Sequence, residues 1–115
     1  MSSSLGKTAE ANAEAFLKTQ GLTLVTRNWR CRFGEIDLVM QDGATLVFVE
    51  VRLRSRSDFG GAAASVTPAK QKKLLAAARQ YLSALKTLPP CRFDVIALDS
   101  NAAPQWIRSA FDDVG

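Results

Sequence analysis

A chain of 115 residues, 47% apolar and 23% charged, can bury one self-sufficient core and is too balanced in composition for disorder. It contains no histidine, which excludes Ser-His-Asp and Cys-His catalysis and leaves oxygen as the donor for any metal, favouring Mg²⁺, Mn²⁺ or Ca²⁺. The formal charge is +4, yet residues 27–86 hold eleven basic residues against five acids, a concentration that suits a polyanionic partner such as nucleic acid; a solvated basic face is the plainer alternative.

In chain order, Leu5, Ala9, Ala13, Phe16 and Leu17 recur at helical spacing, so residues 4–20 are expected to form a helix closed by Gly21. The segment around them lacks the apolar stretch of a secretory signal. No apolar run approaches the roughly 20 residues of a membrane span, so a cytoplasmic location without membrane contact is expected. A strand follows in "LTLVTRNW", then two strands around Asp42-Gly43, a hairpin signal because glycine tolerates positive φ. "SRSDFGGAAAS" reads as an exposed loop. Thr67 and Pro68 supply the N-cap and first position of a second helix running to about Lys86. Its apolar stripe is Leu74, Leu75, Ala78, Leu82 and Leu85, with Tyr81 at the margin. "CRFDVIAL" is a further strand and "QWIRSAF" a short last one. Cys31 and Cys91 show no metal-ligand spacing and are expected to be reduced and half-buried. The pattern is a single α/β domain, αβββαβ with one more strand to follow: a central mixed sheet flanked by helices.

The hairpin carries the anomaly. Side chains alternate across a strand, so Glu35 and Asp37 share one face, as do Glu50, Arg52 and Arg54, while Ile36, Leu38, Met40, Val47, Val49, Val51 and Leu53 are expected to face the core. A loop of Asp42-Gly43 pairs residues whose numbers sum to 85 and sets Glu35 opposite Glu50. A four-residue loop makes the sum 87 and sets Asp37 there instead. Either register crowds carboxylates on one face, which destabilises a sheet unless something neutralises them. A divalent cation would do so, and so would a lattice of arginines; charge pattern alone leans to the lattice, because surface ion pairs are commoner than metal sites. On the second helix, Gln71 extends the sheet-facing stripe with Lys70 beside it, and a polar side chain there needs a partner. The acids could supply it. Glu10 lies at the edge of the first helix's stripe.

These residues carry a family likeness. Gly6…Glu10, then "GEIDLV", "FVEVR" and Lys70-Gln71 on the next helix resemble the PD-(D/E)xK nucleases, closest to a YraN-like bacterial branch related to archaeal Holliday-junction resolvases. The resemblance spans roughly residues 5–99 and implies a restriction-endonuclease-like core. It further implies Mg²⁺ (or Mn²⁺) held by Asp37, Glu50 and the Val51 carbonyl, with Glu10 assisting and Gln71 supporting the site. The family lysine two residues after the glutamate is replaced by Arg52, a planar guanidinium that is a fixed cation but a poor proton acceptor. Lys70 is the candidate to act in its place.

The first functional expectation is therefore a Mg²⁺-dependent endonuclease on branched or structured DNA. The second is a nucleic-acid-binding module on the same fold without cleavage, gripping phosphates through Arg30, Arg32, Arg54, Arg56 and Lys72. A third is an accessory protein whose basic face meets an acidic protein. The resemblance also admits a homodimer, since dimers occur among related resolvases.

Overall fold

The computed structural model describes residues 4–53, 66–99 and 102–111. The expected loop at 55–65, with Arg54 and Arg56, lies outside the described residues. Helix α1 (Ser4–Thr19) leads into β1 (Thr23–Cys31), β2 (Gly34–Asp42) and β3 (Thr45–Leu53). Helix α2 (Pro68–Leu82) then connects to β4 (Cys91–Asp99) and β5 (Ala102–Phe111). The strands form one five-stranded sheet in the order β1-β2-β3-β4-β5. All neighbours are antiparallel except β3 and β4, which run parallel. A parallel pair cannot be joined by a tight turn, so α2 belongs to the crossover.

The two helices cover opposite faces. Ala13 and Leu17 of α1 pack with Leu38, Met40, Val47, Val49 and Ile96. Leu75, Ala77 and Ala78 of α2 pack with Ile36, Val39, Phe48 and Phe93. Leu38, Val47 and Val49, with 1% exposure or less, each contribute roughly 1.5–3 kcal/mol through burial. This corrects the expectation of a single core-directed face on the hairpin. A sheet covered on both sides buries successive residues, which is why "LVM" and "LVFV" read as continuous apolar runs. Ile36 and Leu38 also fall in different clusters, so strict alternation breaks at Asp37 between them.

Helix α1 ends as expected, with Gly21 at φ 97°. Thr67 caps α2 by accepting from Lys70 N–H at 3.3 Å. The helix stops at Leu82, four residues short of Lys86, and the Ser83 N–H closes it on the Arg79 carbonyl at 2.9 Å. The reason lies downstream: the Leu46 N–H already bonds the Pro90 carbonyl at 2.8 Å, so residues 83–89 must reverse the chain. Leu85 consequently leaves the stripe and is exposed. Cys31 is half-buried as expected, Cys91 is exposed, and neither forms a disulfide. Among the described residues no helix is long and apolar enough to cross a membrane.

Candidate functional site

The β2–β3 ladder runs from Asp42↔Thr45 to Leu38↔Val49. The turn is Gly43-Ala44 with Gly43 at φ 60°, so the register summing to 87 is reached through a two-residue turn shifted by one position. Continuing that register one step sets Asp37 opposite Glu50, and there the paired residues stop. The Val51 N–H instead donates to Asp37 Oδ2 at 2.9 Å. A carboxylate has replaced a ladder carbonyl, and the strands part around it. Because a strand residue points its N–H and C=O to the same edge, the Val51 carbonyl faces this gap as well.

Asp37 is crowded. Burial is the main force raising its pKa; the charge of Glu50 adds to it, the Val51 N–H opposes it, and the group is pushed up to about 8. Glu50 is 4% exposed at its side chain and has Lys70 Nζ at 2.6 Å and Arg52 Nη1 at 3.6 Å from Oε2. Lys70 arrives from the first turn of α2, whose start Thr67 caps. Asp37, Glu50 and Lys70 share a cavity of about 400 Å³ with Gly34, Glu35 and Lys73. The β1–β2 turn sits close to α2 here, Gly34 lying where a Cβ would meet Lys73 Cβ at 3.7 Å.

A second set of acids converges from the α1 side. One oxygen each of Glu10, Glu35 and Asp37 lies within 4.8 Å of the others. The connector is Asn28, whose Nδ2 donates to Glu10 Oε1 at 2.8 Å and Glu35 Oε1 at 3.2 Å. Its backbone is left-handed, φ 52°, a conformation asparagine tolerates better than most residues. Three carboxylates at this spacing suit a hard divalent cation, which takes oxygen ligands and completes its shell with water. The crowding of Asp37 against Glu50 argues the same way, since a cation there would favour both charged forms.

Of the residues expected from the sequence, Glu10, Asp37, Glu50, Arg52 and Lys70 come together. The expected ligand set of Asp37, Glu50 and Val51 overlaps the carboxylate triplet only at Asp37; Glu50 sits behind it, neutralised by Lys70. Gln71 lies near but turns away: its Nε2 donates to the Val66 carbonyl at 3.0 Å, which fixes the segment leading into α2. Arg30 Nε is 3.6 Å from Glu35 Oε1, and Arg32 stacks on Phe33 at 4.8 Å. Lys72 is exposed on α2.

Sequence reasoning missed Asn28, and gave Glu35 no ligand role. It also missed Glu14, which accepts from Arg27 at 2.9 and 3.1 Å and from Lys18 at 2.8 Å. Those bonds, Arg27's foremost, hold its carboxyl at about 2. The signals were faint: an asparagine inside "TLVTRNW", and Glu14 next to the buried Ala13.

The family described as "Uncharacterised protein family UPF0102" matches residues 9–98, a span that holds the whole site. A UPF0102 protein of Nitrosomonas eutropha is 58% identical over 108 residues, covering 94% of this chain and 93% of its own. One from Nitrosospira multiformis is 57% identical over 109 residues, 93% of this chain and 92% of its own. One from Cupriavidus taiwanensis is 59% identical, over 93% of this chain and 82% of its own.

Proposed function

We propose that this chain, which belongs to the UPF0102 family, is a Mg²⁺- or Mn²⁺-dependent endonuclease of the PD-(D/E)xK kind, cutting DNA phosphodiesters in branched or otherwise structured substrates. The observation that carries the reading is the parting of β2 and β3 at Asp37 and Glu50, with Glu10 and Glu35 converging on Asp37 and Lys70 paired to Glu50. The helix–three-strand–helix–strand order, with β3 and β4 parallel across α2, supports a restriction-endonuclease-like core.

In this reading Glu10, Glu35 and Asp37 hold the cation, with the Val51 carbonyl facing the same gap. When bound, the metal neutralises phosphate charge and lowers the pKa of a coordinated water. The chain's own groups do the rest. Glu50 fixes Lys70 by a short ion pair, which keeps an ammonium at the edge of the cavity where a phosphate would enter. Arg52 places a guanidinium 3.6 Å from Glu50 and stabilises negative charge without accepting a proton. The Val66–Gln71 bond holds the turn that delivers Lys70. Arg30, Arg32 and Lys72 lie exposed on neighbouring elements and add phosphate contacts.

A second reading, DNA binding without cleavage, draws on one specific observation: the residue two after Glu50 is arginine, and Lys70 is already committed to Glu50. Single-turnover cleavage of labelled four-way, nicked and single-stranded DNA with Mg²⁺ or Mn²⁺ separates the two. The nuclease reading expects metal-dependent cutting that Glu50→Ala abolishes. It expects Lys70→Ala to slow cutting by about 10²-fold, the lower range for loss of a positioned proton-transfer or charge-stabilising group, and Arg52→Lys to raise the rate. Tight binding with no cutting by either wild type or Arg52→Lys gives the second reading the field.

A further inference from the structure

Two cavities flank the acid cluster, and the function proposed above uses only the one beside α2. The other, about 420 Å³, opens between α1 and β1, lined by Glu10 and Asn28 together with Glu14, Lys18 and Arg27. Glu10 and Asn28 are members of the acid cluster, so this second opening leads away from the same carboxylates on the opposite side of the sheet.

Building on the nucleic-acid reading, we propose that Arg27 and Lys18 form a second phosphate-binding station, which grips the substrate backbone a few nucleotides away from the phosphate at the acids. The charges are arranged for it. Glu14, 7% exposed, is one buried anion serving two cations, and Arg27 and Lys18 keep 59% and 51% of their side-chain surface exposed. A structural ion pair would need one cation; the second leaves the Glu14 trio itself net positive, Glu10 being the other acid that lines the cavity. Arg27 uses Nε and Nη2 on Glu14, so its planar fork is held in place with donors still available. Fixing a cation beforehand removes most of the ordering cost of gripping a ligand.

The spacing also fits a chain of phosphates. Lys18 follows Glu10 by eight residues on α1, about 12 Å of helix, which corresponds to roughly three or four phosphates along a stacked strand. Arg27 neighbours Asn28 on β1 and falls between. A single extended backbone could therefore contact Lys18, Arg27, the acid cluster and then Lys70 in sequence, crossing the end of the sheet from one helix to the other.

The test is the salt dependence of binding by the whole chain, measured by fluorescence anisotropy on single-stranded and duplex DNA with no divalent metal, so that cleavage does not intervene. Lys18→Gln and Arg27→Gln should each flatten the log–log slope by about 0.7 on single strands and about 0.9 on duplex, one phosphate contact apiece. Lys86→Gln, an exposed lysine beyond the far end of α2, should leave the slope unchanged. Arg27→Gln also loses the Glu14 anchor, so thermal melts accompany it, and Lys18→Gln alone decides if Arg27→Gln unfolds. Should wild type bind with a steep slope that Lys18→Gln leaves untouched, the cluster merely clamps α1 to β1 and the station is wrong while the proposed function stands. Should wild type bind no DNA at low salt, the proposed function fails and the station with it.

Discussion

Two aspartates sit on neighbouring regions of the same sheet, and they are treated in opposite ways. Asp94 on β4 is 1% exposed and fully supplied with donors. Arg92 Nε bonds both oxygens at 3.1 Å, Trp106 Nε1 donates at 2.9 Å and the Ser109 N–H at 3.0 Å. Arg92 continues to Asp42 at 3.0 Å. Asp37 on β2 meets one backbone N–H, and its other near neighbours include two further acids. A buried acid ringed by donors holds the fold together. One that faces other acids is a liability to the bare protein, which the proposed cation would relieve.

The sharpest contrast is in stability. Asp94→Ala should destabilise by about 3 kcal/mol, because it takes the shared acceptor from the Trp106 Nε1 and Ser109 N–H and leaves the half-buried Arg92 with Asp42 alone. Asp37→Asn in metal-free protein near pH 8 should cost nothing or stabilise, since it removes repulsion. Urea unfolding of both variants measures this, and a large loss for Asp37→Asn would make the two aspartates alike.

The next effect is pH dependence. The carboxyl of Asp37 rises from 3.8 to about 8 on folding, so the folded chain retains a proton that the unfolded chain releases. Its contribution is fully present below pH 3.8 and is lost progressively as pH climbs to about 8. Metal-free Asp37→Asn should lack that decline. Mn²⁺ should lessen it in wild type by favouring the charged form.

Metal binding itself should give a smaller shift. Mn²⁺ at about a hundred times its Kd would stabilise wild type by about 2.7 kcal/mol, seen as a raised melting temperature. Asp37→Asn should lose most of that gain and Asp94→Asn should keep it. A further effect belongs to Glu14, whose pKa falls from 4.5 to about 2 on folding. Its stabilisation is complete above pH 4.5 and disappears towards pH 2, a sloping contribution that Glu14→Gln should remove from an acid-denaturation curve.

The sequence revealed the helices, all five strands and the meeting of Asp37 with Glu50, because those follow from periodicities of 3.6 and 2 and from one turn. It also pointed to Lys70, through its position beside the apolar stripe of α2. What it hid depends on departures from periodicity. Asn28, which joins Glu10 to Glu35, has a left-handed backbone, and Ile36 packs in the α2 cluster although Leu38, two residues on, packs in the α1 cluster. The turn slipped by one residue because Gly43, not Asp42, begins the reversal. The apolar stripe of α2 points Gln71 towards the acids, whereas the Val66 carbonyl satisfies it.

The left-handed residues carry a further consequence. Asn28 on β1 and Ser109 on β5, at φ 52° and 49°, lie on the two outermost strands, and each of those strands also slips register against its neighbour. A strand so kinked cannot present an even row of amides and carbonyls for another chain to zip onto. The sheet is thus self-limiting at both borders. Copies of this protein crowded together should resist strand addition at β1 and β5, and association through the described residues should use helices or side chains instead.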